Sequence, residues 1–252
     1  YATALIMWLE FLAFAVYLHK SKHFSDLGLL SRFEWPKLFA IKQLLVLGVP
    51  MGIAIFMEGS LFVATALFIG QLGAVDVAAH QIALNVASAS FMIPLGIALA
   101  TTVRVGHAVG ARDYSAVRWA MKAGLFLVLI TQTLSAILLI FAGQWISSLY
   151  TDDAAIATLA STLMVYAALF QYPDGIQALS GGALRGLKDT KIPMFITVFA
   201  YWAVGLSAGI FLGIHQGLRA PGFWLGLTIG LSVAAVLLFS RFWHKLKKIE
   251  QA

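Results

Sequence analysis

The sequence contains no cysteine and little charge: Asp, Glu, Lys and Arg together supply 11% of its 252 residues, against 61% hydrophobic. Without cysteine there is no disulfide framework, no thiol nucleophile and no thiolate metal site. A soluble domain averages about 25% charged and about 45–50% apolar residues, and a soluble chain of this length needs a charged shell to stay dissolved. This chain lacks that shell, so its apolar surface requires a solvent other than water. A charged leader and a cleavage pattern are also missing. The chain opens at Tyr1 inside an apolar run from Ala2 to Val16, which does not read as a signal peptide. A helix met midway at its first residue leads us to expect a preceding N-terminal portion and a longer native chain.

What is present is a series of apolar runs. Crossing about 30 Å of hydrocarbon takes about 20 residues of helix, and seven runs qualify, at about 1 to 19, 44 to 69, 77 to 103, 120 to 148, 155 to 182, 192 to 214 and 221 to 242. Helix is required because a backbone in lipid must satisfy its own hydrogen bonds, and the runs lack the alternation of barrel strands. The fold class is therefore all-α, a polytopic helical membrane protein.

Lys and Arg divide sixteen to one between the two sets of connections. One set holds Lys20 to Lys42, Arg104 to Lys122, Arg185 to Lys191 and Arg241 to Lys248; the other holds Arg219 alone. Since cytoplasmic loops retain positive charge, the first set is expected in the cytoplasm and Tyr1 outside. The net charge of +6 then reflects membrane ends, not a face that reads nucleic acid, and the tail from Arg241 to Lys248 reads as an anchor at the lipid surface. The connection from about Lys20 to Gln43 is amphipathic, and Leu27 to Leu30 and Trp35 to Phe39 suit a short interfacial helix. It reads as a linker between two membrane units. No internal repeat stands out among the spans, which leaves any repeat partner in a preceding portion.

Three spans carry an acid: Glu10, Glu58 and Asp174. A carboxylate near the bilayer centre costs at least about 2.5–3.5 kcal/mol, so it faces a cavity or a partner. Glu58 lies about 24 Å along its helix from Lys42, and Asp174 about 16 Å from Arg185. No Lys or Arg shares their depth, so each acid is protonated, binds a cation, or alternates between the two, and burial opposes the charge that a bound cation favours. Beside Asp174, Pro173 removes one helical hydrogen bond and frees the carbonyl of Leu169. A freed carbonyl is a hard oxygen ligand of the kind broken helices offer to alkali cations. Pro50, Pro94 and Pro193 read as kinks or boundaries.

On the third span Gln81, Asn85 and Ser88 share one face at helical spacing. They line a cavity, or they hydrogen-bond between helices. His80 has no second His or Cys at ligand spacing. The run Gly181 to Gly186 follows no strand and is no phosphate loop.

The segments Gly48-Val49-Pro50, Phe56 to Gly59, Gly73 to Asn85, Pro94 to Gly96, Arg104 to Gly106, Asp174 to Gln177 and Gly182 to Thr190, in this order and spacing, resemble the multidrug and toxic compound extrusion family in its NorM-type bacterial branch. The resemblance implies a twelve-helix, two-lobe transporter in which the seven spans are helices six to twelve. Residues 1–19 would then be the last helix of the N-terminal lobe, 20–43 a cytoplasmic inter-lobe linker, 44–242 a six-helix C-terminal lobe and 243–252 a cytoplasmic tail. It also implies that Glu58 and Asp174 form a cation site for H+ or Na+, and that Gln81, with Asp152 and Asp153 in an outer loop, contacts drugs; Asn85 joins them as a substrate-binding candidate. Where some members carry a tyrosine and a second aromatic hydroxyl near the ion, this chain has Phe170 and Phe91.

The expected function is secondary antiport of organic cations, with no cofactor and no enzymatic step, by a monomer in the bacterial inner membrane whose partners are organic cations, lipid and the preceding lobe. Ion and drug would each lower the other's affinity. A lipid-linked saccharide flippase would need basic groups within its spans for pyrophosphate. A photoreceptor would need a Schiff-base lysine in its last helix, where Phe223 to Phe239 has none.

Overall fold

The computed structural model describes residues 2–20, 35 and 37–251. It divides into two compact units, Tyr1–Leu45 and Val46–Ala252. In the first, α1 (Ala2–Lys20) is helical and mostly exposed. The proposed interfacial segment at Leu27 to Leu30 lies outside the described residues. Trp35 and Lys37 are not helical, and the second helix begins at Leu38, earlier than the hydropathy boundary at 44.

Helix α2 (Leu38–Gly70) starts in the first unit and runs through the second, followed by α3 (Ala74–Gly110), α4 (Tyr114–Ser148), α5 (Ala154–Gly186), α6 (Lys191–His215) and α7 (Arg219–Glu250). Among the described residues these six are long and apolar enough to cross a bilayer. Helix α1, expected as a seventh span, contributes a shorter apolar stretch, Thr3–Leu18, among the described residues.

Short turns join α2 through α7, and of the consecutive helices α3 packs against α4, α4 against α5 and α6 against α7. Two of the turns have the same construction. After Gly110 and Gly186 the chain continues Ala111-Arg112-Asp113 and Leu187-Lys188-Asp189, with φ of 56° at both Arg112 and Lys188. In each, the aspartate N–H donates to a carbonyl five residues back, Ala108 or Leu184, at 2.9 Å. This is the closure by which a left-handed residue satisfies the last carbonyls of a helix. The two aspartates then diverge. Asp113 caps α4 by accepting from the Ala116 N–H at 2.9 Å, a bond that holds its carboxyl below the usual range. Asp189 accepts from Arg241 Nε at 2.9 Å. With Arg118–Glu250 at 3.0 Å, that pair ties the basic helix ends together. At the opposite end Arg219 donates to both carboxylate oxygens of the buried Asp76 and to the Leu72 carbonyl.

Helix α5 is the centre of the bundle, packed against α3, α4 and α7. Its glycines allow the approach. A Cβ at Gly182 would stand 2.6 Å from the Ala98 carbonyl oxygen, and one at Gly186 2.8 Å from that of Thr102. The gap is closed by Thr102 Oγ1, which donates to the Gly182 carbonyl at 2.8 Å. On the α4 side Gln132 and Gln171 exchange hydrogen bonds, each amide nitrogen donating to the other residue's backbone carbonyl at 3.0 and 3.2 Å. A second close seam joins α6 to α7. Gly205, Gly209 and Gly213 repeat every fourth residue and meet Gly222, Gly226 and Gly230, which do the same. Such small-residue stripes let membrane helices associate through backbone contact. Along this seam Phe199–Leu206 and Phe211–His215 widen into π-helical turns.

Candidate functional site

Asp174 stands midway along α5, at 5% exposure, beside Pro173. The helix carries this proline without a break because α3, α4 and α7 surround it, and the Gln132–Gln171 exchange holds the turn just before it. Glu58 lies on α2, half-buried. Gln177, one turn beyond Asp174 on the same face, donates from Nε2 to Glu58 Oε1 at 3.1 Å and lies against the Asp174 carboxyl. The two acids picked out from the sequence are thus brought to one place by a bridging amide. Among the described residues Asp174 Oδ1 has no hydrogen-bond partner.

The surroundings supply few compensating groups. Tyr201 on α6 is 1% exposed, its hydroxyl has no partner among the described residues, and it lies within electrostatic reach of both carboxyls. Phe170, at the position where some relatives were expected to carry tyrosine, is buried edge-on against Phe62 and Trp224, with ring centroids 6.0 and 5.5 Å away. One expectation needs correction. No basic residue was placed near the acids, yet Arg185 lies within electrostatic reach of Glu58. Eleven residues of helix separate Arg185 from Asp174, but a long side chain on a helix leans toward its N-terminus, which here means toward the acids.

The pair suits a monovalent cation. It offers two carboxylates and a Gln177 carbonyl oxygen, all hard oxygen donors. Among the described residues there is no group of three or more His, Cys, Asp or Glu able to hold a metal ion. His80 is fully buried, edge-on to Trp224 at 5.9 Å, with neither ring nitrogen hydrogen-bonded among the described residues.

Nearer the Asp76 end, Gln81, Asn85 and Ser88 line one open pocket of about 400 Å³. The sequence reading missed Tyr150, which completes this pocket and donates from its hydroxyl to Asn85 Oδ1 at 2.8 Å. Asp152 and Asp153 are exposed and do not line it. Asp153 caps α5 instead, accepting from the Ala155 and Ile156 N–H groups at 2.8 and 3.2 Å. Glu10 is exposed on α1.

Fold and site together define a polytopic membrane protein of helices, with a buried and a half-buried acid brought together in the bundle. The family model MatE matches residues 50–211. Probable multidrug resistance protein NorM of Xanthomonas axonopodis pv. citri is 53% identical over 96% of this chain and 53% of its own length. Multidrug resistance protein PmpM of Pseudomonas aeruginosa is 40% identical over 96% of this chain and 51% of its own. Among solved structures, the eukaryotic MATE transporter AtDTX14 superposes with a TM-score of 0.85 at 20% identity, over 97% of this chain and 56% of that one. The chain belongs to the MatE family. It spans about half the length of the curated relatives it matches.

Proposed function

We propose that this chain is the C-terminal lobe of a secondary antiporter that exports organic cations in exchange for H+ or Na+. Residues 1–19 would be the last helix of a preceding lobe, 20–43 the inter-lobe linker, 44–242 the six-helix lobe and 243–252 a tail. The basic ends of the helices face the cytoplasm of a bacterial inner membrane. The observation that carries the reading is a buried Asp174 joined to Glu58 through Gln177, with an orphan carboxylate oxygen among the described residues. The multidrug resistance proteins it resembles support the substrate class.

The inward-moving ion neutralises the carboxyl pair, with the Gln177 carbonyl and the Leu169 carbonyl as further oxygen donors. Loading this site weakens the hold on an organic cation bound between the lobes. By reciprocity the drug weakens the hold on the ion. Gln81 and Asn85 offer amide contacts to the drug, Tyr150 a π-face for its charge, and Asp152 and Asp153 raise the local cation concentration at the outer mouth. The system works as a monomer surrounded by lipid.

The test is Asp174→Asn and Glu58→Gln in the full-length protein, reconstituted and driven separately by a sodium gradient and a pH gradient. Each variant folds and loses gradient-driven ethidium efflux, and the double variant is little worse than either, since effects within one unit do not add. Full gradient-dependent efflux by Asp174→Asn would move the coupling site out of this lobe.

A further inference from the structure

Arg185 stands on the face of α5 that also carries Asp174, Gln177 and Gly181. Its guanidinium turns back along the helix. A Cβ placed at Gly181 would lie 3.8 Å from Arg185 Nη1, and apart from its own helix turn no other described residue stands within 4 Å of that position. The side chain is half-buried, and among the described residues it makes no hydrogen bond and no ion pair. Three other basic groups at this end are placed differently: Arg118 and Arg241 are paired with Glu250 and Asp189, and Lys122 lies over the Trp119 ring at 5.8 Å. An arginine near a membrane helix end ordinarily reaches for water. This one reaches inward, past a glycine that leaves it room, and the charged group in its field is Glu58.

We propose that Arg185 is a built-in competing cation: a tethered guanidinium that takes up the negative charge of Glu58 when the transported ion leaves toward the basic end of the bundle. The inference rests on Glu58 and Asp174 being the coupling site. An empty pair of carboxylates in hydrocarbon is costly, and an ion held there tightly enough to offset that cost would leave slowly. A tethered positive charge lowers the cost of the empty state and repels the incoming ion, so it trades ion affinity for turnover. The charged group facing the guanidinium is Glu58 on α2, and Asp174 on α5 and Tyr201 on α6 lie in turn within electrostatic reach of Glu58. Unit charges about 10 Å apart at an effective permittivity of about 20 shift an affinity by roughly tenfold.

Full-length protein in proteoliposomes, with ethidium efflux measured against sodium at fixed pH and against pH at fixed sodium, tests this. Arg185→Gln should lower the ion concentration for half-maximal efflux about tenfold and lower the maximal rate, while Arg185→Lys stays near the parent. Gly181→Leu keeps the charge but fills the space the guanidinium occupies, and should shift half-saturation in the same direction, which covers the case of an Arg185→Gln protein that does not fold. An unchanged half-saturation in Arg185→Gln, or in Gly181→Leu where the former does not fold, overturns the proposal, because a merely structural arginine alters yield and maximal rate alone. Glu58→Gln in parallel separates the two readings. If it remains ion-coupled, the coupling-site reading fails; if it is uncoupled and the Arg185 variants do not shift, only the competing-cation role fails.

Discussion

Helices α2 and α5 each bring one acid to the site, yet they are built in opposite ways. In the most apolar window of α5, 44% of residues are buried; in that of α2, 6% are. Helix α5 packs against three neighbours and meets one of them, α3, backbone to backbone at Gly182 and Gly186, whereas the α2 glycines Gly48, Gly52 and Gly59 have no other described residue within 4 Å of an added Cβ. The contacts of α2 with the bundle are side-chain contacts: Glu58 to Gln177, Phe62 edge-on to Phe170, Phe68 stacked on Phe223 at 6.1 Å, and the Met57 carbonyl accepting from Trp202 at 3.4 Å. The site thus joins an acid on a closely packed helix to one on a helix held mainly by side chains.

The strongest way to break this comparison is to place the same side chain on both helices. Gly182→Val drives a branched side chain into the Ala98 carbonyl and should cost about 1–3 kcal/mol or more, read as a clear fall in the thermal midpoint by fluorescence-detected size exclusion. Gly52→Val should change it by no more than about 0.5 kcal/mol. Equal losses would show that the open face of α2 is covered by another part of the full-length protein.

A smaller effect is expected at the bridge. Gln177→Leu removes the amide that joins Glu58 to α5, a hydrogen bond to an ionisable group worth about 1.5–3 kcal/mol. Ion affinity should fall by roughly tenfold, and the thermal midpoint should fall by no more than in Gly182→Val. Unchanged affinity would mean the two carboxyls need no bridge.

The smallest effect concerns the outer end of α5. Asp153→Ala loses an N-cap and should destabilise by about 1 kcal/mol. Asp152→Asn should leave stability alone and weaken organic-cation binding only at low salt, where exposed charges act over distance. A cation-binding loss from Asp153→Ala with unchanged stability would assign that residue to the drug instead of the helix.

The sequence already announced the spans, because composition and run length express the solvent a helix needs. Glu58 and Asp174 were visible for the same reason, as charges where charge is expensive. Gln81, Asn85 and Ser88 could be grouped by helical spacing, and they do share a pocket. What spacing cannot express is which side chain crosses to which neighbour. Gln177 and Gln132 look like ordinary polar residues until the fold sets them against Glu58 and Gln171. Tyr150 reaches Asn85 across 65 positions of sequence. Arg185 reads as a helix-end charge in the sequence because counting residues locates a Cα, while a guanidinium works several ångströms away from it. Asp153, which the resemblance offers as a drug contact, also caps α5 in the structure.

The glycine seam between α6 and α7 has a mechanical consequence. A Cβ at Gly230 would stand 2.7 Å from the Gly205 Cα, so main chain touches main chain with no flexible side chain between. Two helices fitted this way cannot slip or roll past each other without main-chain collision, and they behave as a single doubled beam. The π-turns of α6 keep its glycines in step with those of α7, at the cost of looser hydrogen bonding. Tyr201 is mounted on this beam, which holds its ring in place within electrostatic reach of both carboxyls.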